Sequence, residues 1–378
     1  MSANPRGSAA IKAALKGYEP TDEQWSAISH PLEPIYLIAG AGSGKTAVMA
    51  ARIAWALETQ PYSPSQVLGL TFTNKAAGEL QERVRLALAG MHDESGEDVS
   101  IYTYNAFAAG IVRDHGLLVG VEREAGLLSA AQQWQLVLTC LDHLPPFDSL
   151  EVRSSYVVGQ TLNLAGSIGD HMVAVSDIEA AADRLLSMRD LEDRIAETAR
   201  KRKELCRAVA AYVEAKAKAG RIDFSDQITK AVEVLEGNQE VRESYHKRFP
   251  FVLLDEYQDT NVAQRRMLQS LVGPHGACTA VGDARQAIFA WRGATMFNLI
   301  NFPDDFPRAD GRRYDPISLS ENFRSGSRIL DVANAIVEPI AAERRPGAPL
   351  RAVPANGEGK VEIGLFSDER AEADWIAT

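Results

Sequence analysis

The chain has 378 residues, which at about 100–200 residues per domain predicts two or three domains and a large buried core. Hydrophobic residues make up 46 % and charged residues 24 %, the balance of a soluble globular protein, so a disordered chain is excluded. With 51 acids against 40 bases the net charge is −11, so any contact with nucleic acid must be local rather than driven by global charge.

The first twenty residues hold no apolar core of signal-peptide length. No stretch of the chain approaches the ~18 uncharged apolar residues of a membrane span. A soluble, cytoplasmic protein with no membrane contact is therefore expected. Apolar runs at residues 35–38, 67–72, 251–254 and 278–281, several of them separated by helical patterns, predict a parallel α/β sheet. Between Asn105 and about Gly220 the strand signals fade and alanine-rich helical spacing takes over. Two helix starts of capping-box type fall there, Ser129-x-x-Gln132 and Ser176-x-x-Glu179, and predict an all-helical insertion. After a Pro-, Asp- and Arg-rich change at residues 301–316, residues 317–319 and 361–366 are expected as strands of a second α/β unit. Residues 343–360 are expected as loop and residues 369–376 as helix. Cys140, Cys206 and Cys278 lie far apart with no CxxC pair, which predicts reduced, buried thiols rather than a zinc or iron–sulfur site.

Ala39-Gly40-Ala41-Gly42-Ser43-Gly44-Lys45-Thr46 follows the first apolar run and opens a helical pattern. That is the setting of a phosphate loop. Glycines let backbone N–H groups curl around phosphate oxygens, the helix start favours the anion, Lys45 reaches the β and γ phosphates, and Thr46 offers its hydroxyl to magnesium. Downstream, the run at 251–254 ends in Asp255 and Glu256. With a phosphate loop upstream, Asp255 is the candidate magnesium ligand and Glu256 the group that orients and deprotonates the attacking water.

Asp255-Glu256-Tyr257-Gln258-Asp259-Thr260-Asn261 resembles the magnesium-binding motif of the UvrD/Rep-like superfamily 1 DNA helicases. Three further segments resemble motifs of that family in the same order. They are Thr71-Phe72-Thr73-Asn74-Lys75-Ala76-Ala77, the run from Val281-Gly282-Asp283 through Gln286 and Trp291-Arg292-Gly293-Ala294, and Leu319-Ser320-Glu321-Asn322-Phe323-Arg324-Ser325. The resemblance spans roughly residues 21–325. It implies a RecA-like P-loop ATPase domain over residues 1–104 and 222–314, a helical subdomain over 105–221, and the start of a second RecA-like domain over 315–378. The family's later motifs are not seen, so the chain is expected to be the amino-terminal part of a longer protein.

The resemblance also implies roles. Gln24 matches a glutamine that reads the adenine edge, and Thr21-x-x-Gln24 is equally a capping box. Phe323 replaces a tyrosine that stacks on adenine. Ala47 stands where an arginine is common. Gln286 matches a γ-phosphate sensor, and Arg324 an arginine that enters the site from the second domain. Phe72, Phe289 and Trp291 match aromatics that stack on single-stranded DNA, with core packing as the alternative. Asn74 lies in the same DNA-track motif, and Arg292 is a candidate phosphate contact. Asn105 and Gly78 depart from the family pattern. The implied activity is Mg-ATP hydrolysis driving 3′-to-5′ movement on single-stranded and partly duplex DNA, in repair or recombination. The alternatives are a helicase–nuclease motor subunit and a non-motor module that binds ATP and DNA.

Overall fold

Ten strands appear among the residues that a computed structural model describes, namely 5–90, 97–150, 154–274, 276–290, 293–340 and 346–377. In chain order they are β1 Ile35–Ala39, β2 Val67–Thr71, β3 Ser100–Thr103, β4 Gly126–Leu127, β5 Arg221–Ile222, β6 Phe251–Leu254, β7 Ala277–Gly282, β8 Ile317–Leu319, β9 Glu321–Asn322 and β10 Arg351–Ala352. Six of them form one sheet in the order β3-β2-β6-β7-β1-β8, every pair parallel. The four expected runs are β1, β2, β6 and β7. They read as continuous apolar stretches because both faces of the sheet are covered. Tyr36, Ile38, Leu68, Leu70, Val252 and Leu254 enter one core, while Ile35, Leu37, Val67, Phe251 and Leu253 enter the other, the alternation that period two requires.

The second of these cores is roofed by α1 Ala9–Ala14, α2 Asp22–Ile28, α3 Lys45–Thr59 and α4 Asn74–Leu88. Next come α5 Tyr104–His115 and the insertion helices α6 Ala130–Leu141, α7 Ser154–His171, α8 Val175–Leu186 and α9 Asp193–Lys218. They are followed by α10 Phe224–Gly237, α11 Gln239–Arg248, α12 Val262–Val272, and the one-turn α13 Phe297–Ile300 and α14 Phe302–Asp305. Helix α5 and helices α10 to α14 cover the opposite face. The expected start of the helical region at Asn105 therefore falls inside a helix that belongs to the sheet, since Tyr104, Phe107, Ala108, Ile111 and Val112 are core residues there.

Helices α6 to α9 keep small cores of their own, around Val137, Val158 and Tyr212 and around Leu150, Val157 and Leu205. The Ser129 cap forms as expected: its Oγ accepts the Gln132 N–H, and Gln132 Oε1 accepts the Ser129 N–H. The second expected cap is displaced. Helix α8 starts at Val175, and Asp177 Oδ2 accepts the N–H of Ala174 at 3.0 Å. A carboxylate was available two residues earlier than Ser176-x-x-Glu179 allows, and anions are favoured at a helix start.

The carboxy-terminal part differs from expectation in two places. Ile317–Leu319 is the edge strand of the first sheet, with Leu37 opposite Ile317 and Ala39 opposite Leu319. Leu319 is buried in the core beneath α1 to α4. Three apolar residues carry no mark of which sheet they join, and the free side of β1 decides it. Residues 361–366 form neither helix nor strand, and Ile363 and Leu365 are almost fully exposed. Alternating apolar residues make a strand only where a neighbour takes up their N–H and C=O groups. Within the expected loop, β10 pairs with β9. Helices α15 Ser327–Val337 and α16 Glu369–Ile376 complete the described chain, the second as predicted.

One buried cation fastens α2 to the sheet. The Arg52 guanidinium donates to the carbonyls of Ala27, Ile28, His30 and Pro31 and to Thr279 Oγ1 on β7. A cation at the carboxy-terminal end of a helix is electrostatically favoured, and every N–H here replaces a bond to water. Among the described residues no helix is long and apolar enough to cross a membrane.

Candidate nucleotide site and nucleic-acid cleft

The carboxy-terminal ends of β1, β6 and β7 converge on the loop that joins β1 to α3. Gly42 and Gly44 both sit at positive φ, +80° and +87°, and Ser43 Oγ donates to Gly40 O at 2.8 Å, closing the curl. Gly44 caps α3, so Lys45 and Thr46 occupy its first turn with N–H groups pointing into the loop. Gln24 holds the loop from behind. It forms the expected capping box with Thr21, and its Nε2 still reaches Ser43 O at 3.5 Å.

Lys45 Nζ lies 2.7 and 2.9 Å from the two oxygens of Glu256. Glu256 itself has φ 48° and ψ 44°, a left-handed conformation that costs a non-glycine residue about 1–3 kcal/mol and collects at functional sites. The Asp255 carboxylate accepts the Glu256 N–H at 3.0 Å, while its backbone N–H donates to Leu70 O. Burial, then the neighbouring Glu256 charge, push its carboxyl up to about 6 against the pull of Lys45. Asp259 is pushed up to about 6 by the same two causes in the same order. The Ile288 backbone N–H faces Asp259 and pulls its carboxyl the other way, and Asp259 Oδ1 is buried with no hydrogen-bond partner among the described residues. Three carboxylates thus surround one lysine.

This donor set suits magnesium. Asp255 is a buried carboxyl with no ion pair among the described residues, and Thr46 adds a hydroxyl oxygen. Among the described residues no group of three His, Cys, Asp or Glu side chains forms a cage. A cation held by one or two protein oxygens plus phosphates and water is the usual magnesium arrangement.

The segment after β8 lies directly on the loop. Asn322 Nδ2 donates to Ala41 O at 2.5 Å and the Phe323 N–H to Gly42 O at 2.8 Å. A Cβ on Gly42 would stand 2.7 Å from Asn322 Nδ2, so this approach requires glycine. Asn322 Oδ1 accepts the N–H groups of Arg324 and Ser325, which leaves the Phe323 ring and the Arg324 side chain exposed beside the loop. Glu23 accepts from Ser320 N, Ser320 Oγ and Arg351, tying α2 to β10. Gln286 lies across the site on the turn after β7, donating to Asp283 Oδ2 at 2.9 Å.

Phe72, directly after β2, and Phe289 stack on each other with centroids 5.1 Å apart and planes at 27°. Both are half-buried. Phe72 and Asn74 line a cleft of about 620 Å³ between the sheet ends and α7. Trp291 and Arg292 lie outside the described residues. Asn105 donates its amide to Phe224 O, and Phe224, 56 % exposed, stands at the same cleft. Sequence reasoning passed over Phe224, Asn322, Glu23 and Gln258. An aromatic residue inside Asp223-Phe224-Ser225-Asp226, at a helix start where apolar side chains usually turn inward, was the available signal for the first. The others are ordinary polar residues until their partners are known.

A phosphate loop and an Asp-Glu pair at the ends of two parallel strands of one sheet, β1 and β6 with β7 between them, and a helical insertion beside them define a P-loop nucleotide-binding fold. The UvrD/REP helicase N-terminal domain family matches residues 20–307, and the chain belongs to that family. It is 32 % identical over 383 residues to the ATP-dependent DNA helicase UvrD1 of Mycobacterium leprae, covering 97 % of this chain and 45 % of the relative. To the ATP-dependent DNA helicase PcrA of Staphylococcus aureus it is 30 % identical over 354 residues, covering 94 % and 44 %. The chain spans about half the length of the curated relatives it matches.

Proposed function

We propose that this protein is a cytoplasmic ATP-dependent DNA helicase that moves 3′-to-5′ on single-stranded DNA and opens partly duplex DNA, in repair or recombination. The observation that carries the reading is the Lys45–Glu256 contact at 2.7 Å beside the buried Asp255, at the mouth of the loop formed by residues 39–46. The loop N–H groups and Lys45 bind the triphosphate. Phosphate oxygens then compete with Glu256 for Lys45, and the released carboxylate takes a proton from the attacking water. Thr46 and Asp255 would hold Mg²⁺, which neutralises charge on the phosphates. Arg324, from the segment on the other side of the loop, is set to face charge on the transferring phosphoryl group, and fingers of this kind are worth about 10³–10⁵ in rate. Gln24 and Phe323 flank the place for the base, and Gln286 is the phosphate sensor.

Stacking is tolerant of sequence, as a translocating motor requires; in this reading Phe72 and Phe289 supply it, with Asn74 beside them. The proposed division is a first RecA-like domain built on the six-stranded sheet, a helical subdomain from α6 to α9, and a second domain that starts after β8. The test uses the full-length protein. Lys45→Ala should abolish nucleotide binding, whereas Glu256→Gln should bind ATP and stop hydrolysis, and a 3′-tailed duplex should be unwound in preference to a 5′-tailed one. Normal ATPase in Glu256→Gln overturns the assignment of the base, and preference for the 5′ tail overturns the polarity.

A further inference from the structure

The turn after β6 carries one of the least exposed polar side chains among the described residues. Gln258 is 1 % exposed. Its Nε2 donates to Glu256 Oε2 at 2.8 Å and to Asp259 Oδ2 at 3.3 Å. Its Oε1 accepts the backbone N–H of Asp283 at 3.1 Å. An amide is the group that fits this place, because its two donors meet carboxylates and its acceptor meets an N–H. A glutamate would set a third negative charge against two.

Beyond Gln258 the chain of bonds continues. Asp283 Oδ1 accepts the Arg285 N–H, and Oδ2 accepts Gln286 Nε2. Glu256, Gln258, Asp283 and Gln286 therefore form one hydrogen-bonded path from β6 to the turn after β7. Gly282 leaves the room for it: a Cβ there would stand 2.5 Å from Gln258 Oε1. Among the described residues the Glu256 carboxylate has two side-chain partners, Lys45 and Gln258. Phosphate oxygens that draw Lys45 away leave Gln258 as the side chain that keeps Glu256 in its orientation.

We propose that Gln258 is a positioning residue, resting on the ATPase reading above: it aims the Glu256 carboxylate at the attacking water and ties that aim to the Gln286 turn. The role acts on the chemical step and not on nucleotide affinity. Two substitutions reach it from opposite sides, Gln258→Leu by removing the amide and Gly282→Ala by pushing its Oε1 away.

The experiment measures single-strand-stimulated ATPase, Mg-ATP affinity with a fluorescent nucleotide, and thermal melting on the full-length protein. Each variant should lose kcat by about tenfold to a hundredfold with KM and nucleotide affinity within about twofold. The double variant should be no worse than the more damaged single one, because both remove the same contact. Variants that keep kcat, or that lose kcat and nucleotide affinity together with melting temperature, overturn the proposal. Glu256→Gln is run beside them. If it abolishes hydrolysis while Gln258→Leu keeps the normal kcat, the positioning role alone fails; if Glu256→Gln too keeps the normal rate, the ATPase reading fails.

Discussion

The central sheet and the helical insertion are stabilised by different means, although both are built largely from alanine- and leucine-rich segments. Strands β1, β2, β6 and β7 are buried along their whole length and share two large cores. The insertion has small cores whose edges stay half-exposed, and it is fastened to the rest by polar clasps. Lys216 Nζ lies 2.6 Å from both Asp223 and Asp226, with Tyr212 OH donating to Asp223. Asn261 donates to Asp170 at 2.7 Å, which joins α7 to the residues just past Asp255 and Glu256. Burial alone would raise the Asp223 carboxyl, yet the Lys216 charge and the bonds around it hold it below its ordinary value. Apolar area makes the sheet rigid, whereas directional bonds define how the insertion sits, so the insertion is the part that single polar substitutions can release.

The largest expected effect breaks this contrast at its polar end. Lys216→Met leaves Asp223 and Asp226 buried side by side without a cation and should cost about 3–5 kcal/mol. Urea unfolding should read that loss, and hydrogen exchange should localise it to α9 and the start of α10. A uniform loss of protection across β1 and β6 would refute the clasp.

Apolar truncation should sharpen the comparison from the other side. Leu253→Ala, on a fully buried strand, should fall near the top of the range of about 2–5 kcal/mol, and Leu205→Ala near the bottom, since the insertion can collapse around the missing atoms. Equal losses in parallel denaturation curves would show the two regions packed alike.

Phe289→Ala tests a residue at the boundary between the two. It should weaken single-strand binding by about 1–3 kcal/mol per base contacted, measured by fluorescence anisotropy, with little change in melting. Unchanged DNA affinity with a lower melting temperature would make the Phe72–Phe289 stack a structural pair only.

The smallest effect is in pH. Burial raises Asp259 from 3.8 to about 6, so the folded protein holds that proton more tightly than the unfolded chain. The resulting stabilisation is full below 3.8 and lost as pH rises through about 6. Melting curves without nucleotide or metal should therefore show a fall between about pH 4 and 6, and the fall should be shallower in Asp259→Asn. An identical slope in both proteins would rule the group out.

The sequence by itself determined what depends on local backbone and period. The four buried strands follow from unbroken apolar runs, the phosphate loop from glycines before Lys45-Thr46, the Thr21 and Ser129 caps from residues three apart, and the Asp255-Glu256 pair from its place at a strand end. Tertiary structure alone decided which segments meet. Short β3, unmarked in the sequence, became a strand because the edge of β2 supplied hydrogen-bond partners, and β8, expected as a strand, joined the first sheet because β1 had a free side, while residues 361–366, with as good an alternation, stayed irregular. Helix α5 joined the sheet because its apolar face matched that core. Gln258, Asn322, Glu23 and Lys216 acquired their partners the same way, for a polar side chain carries no record of the distant donor or acceptor that folding will bring to it.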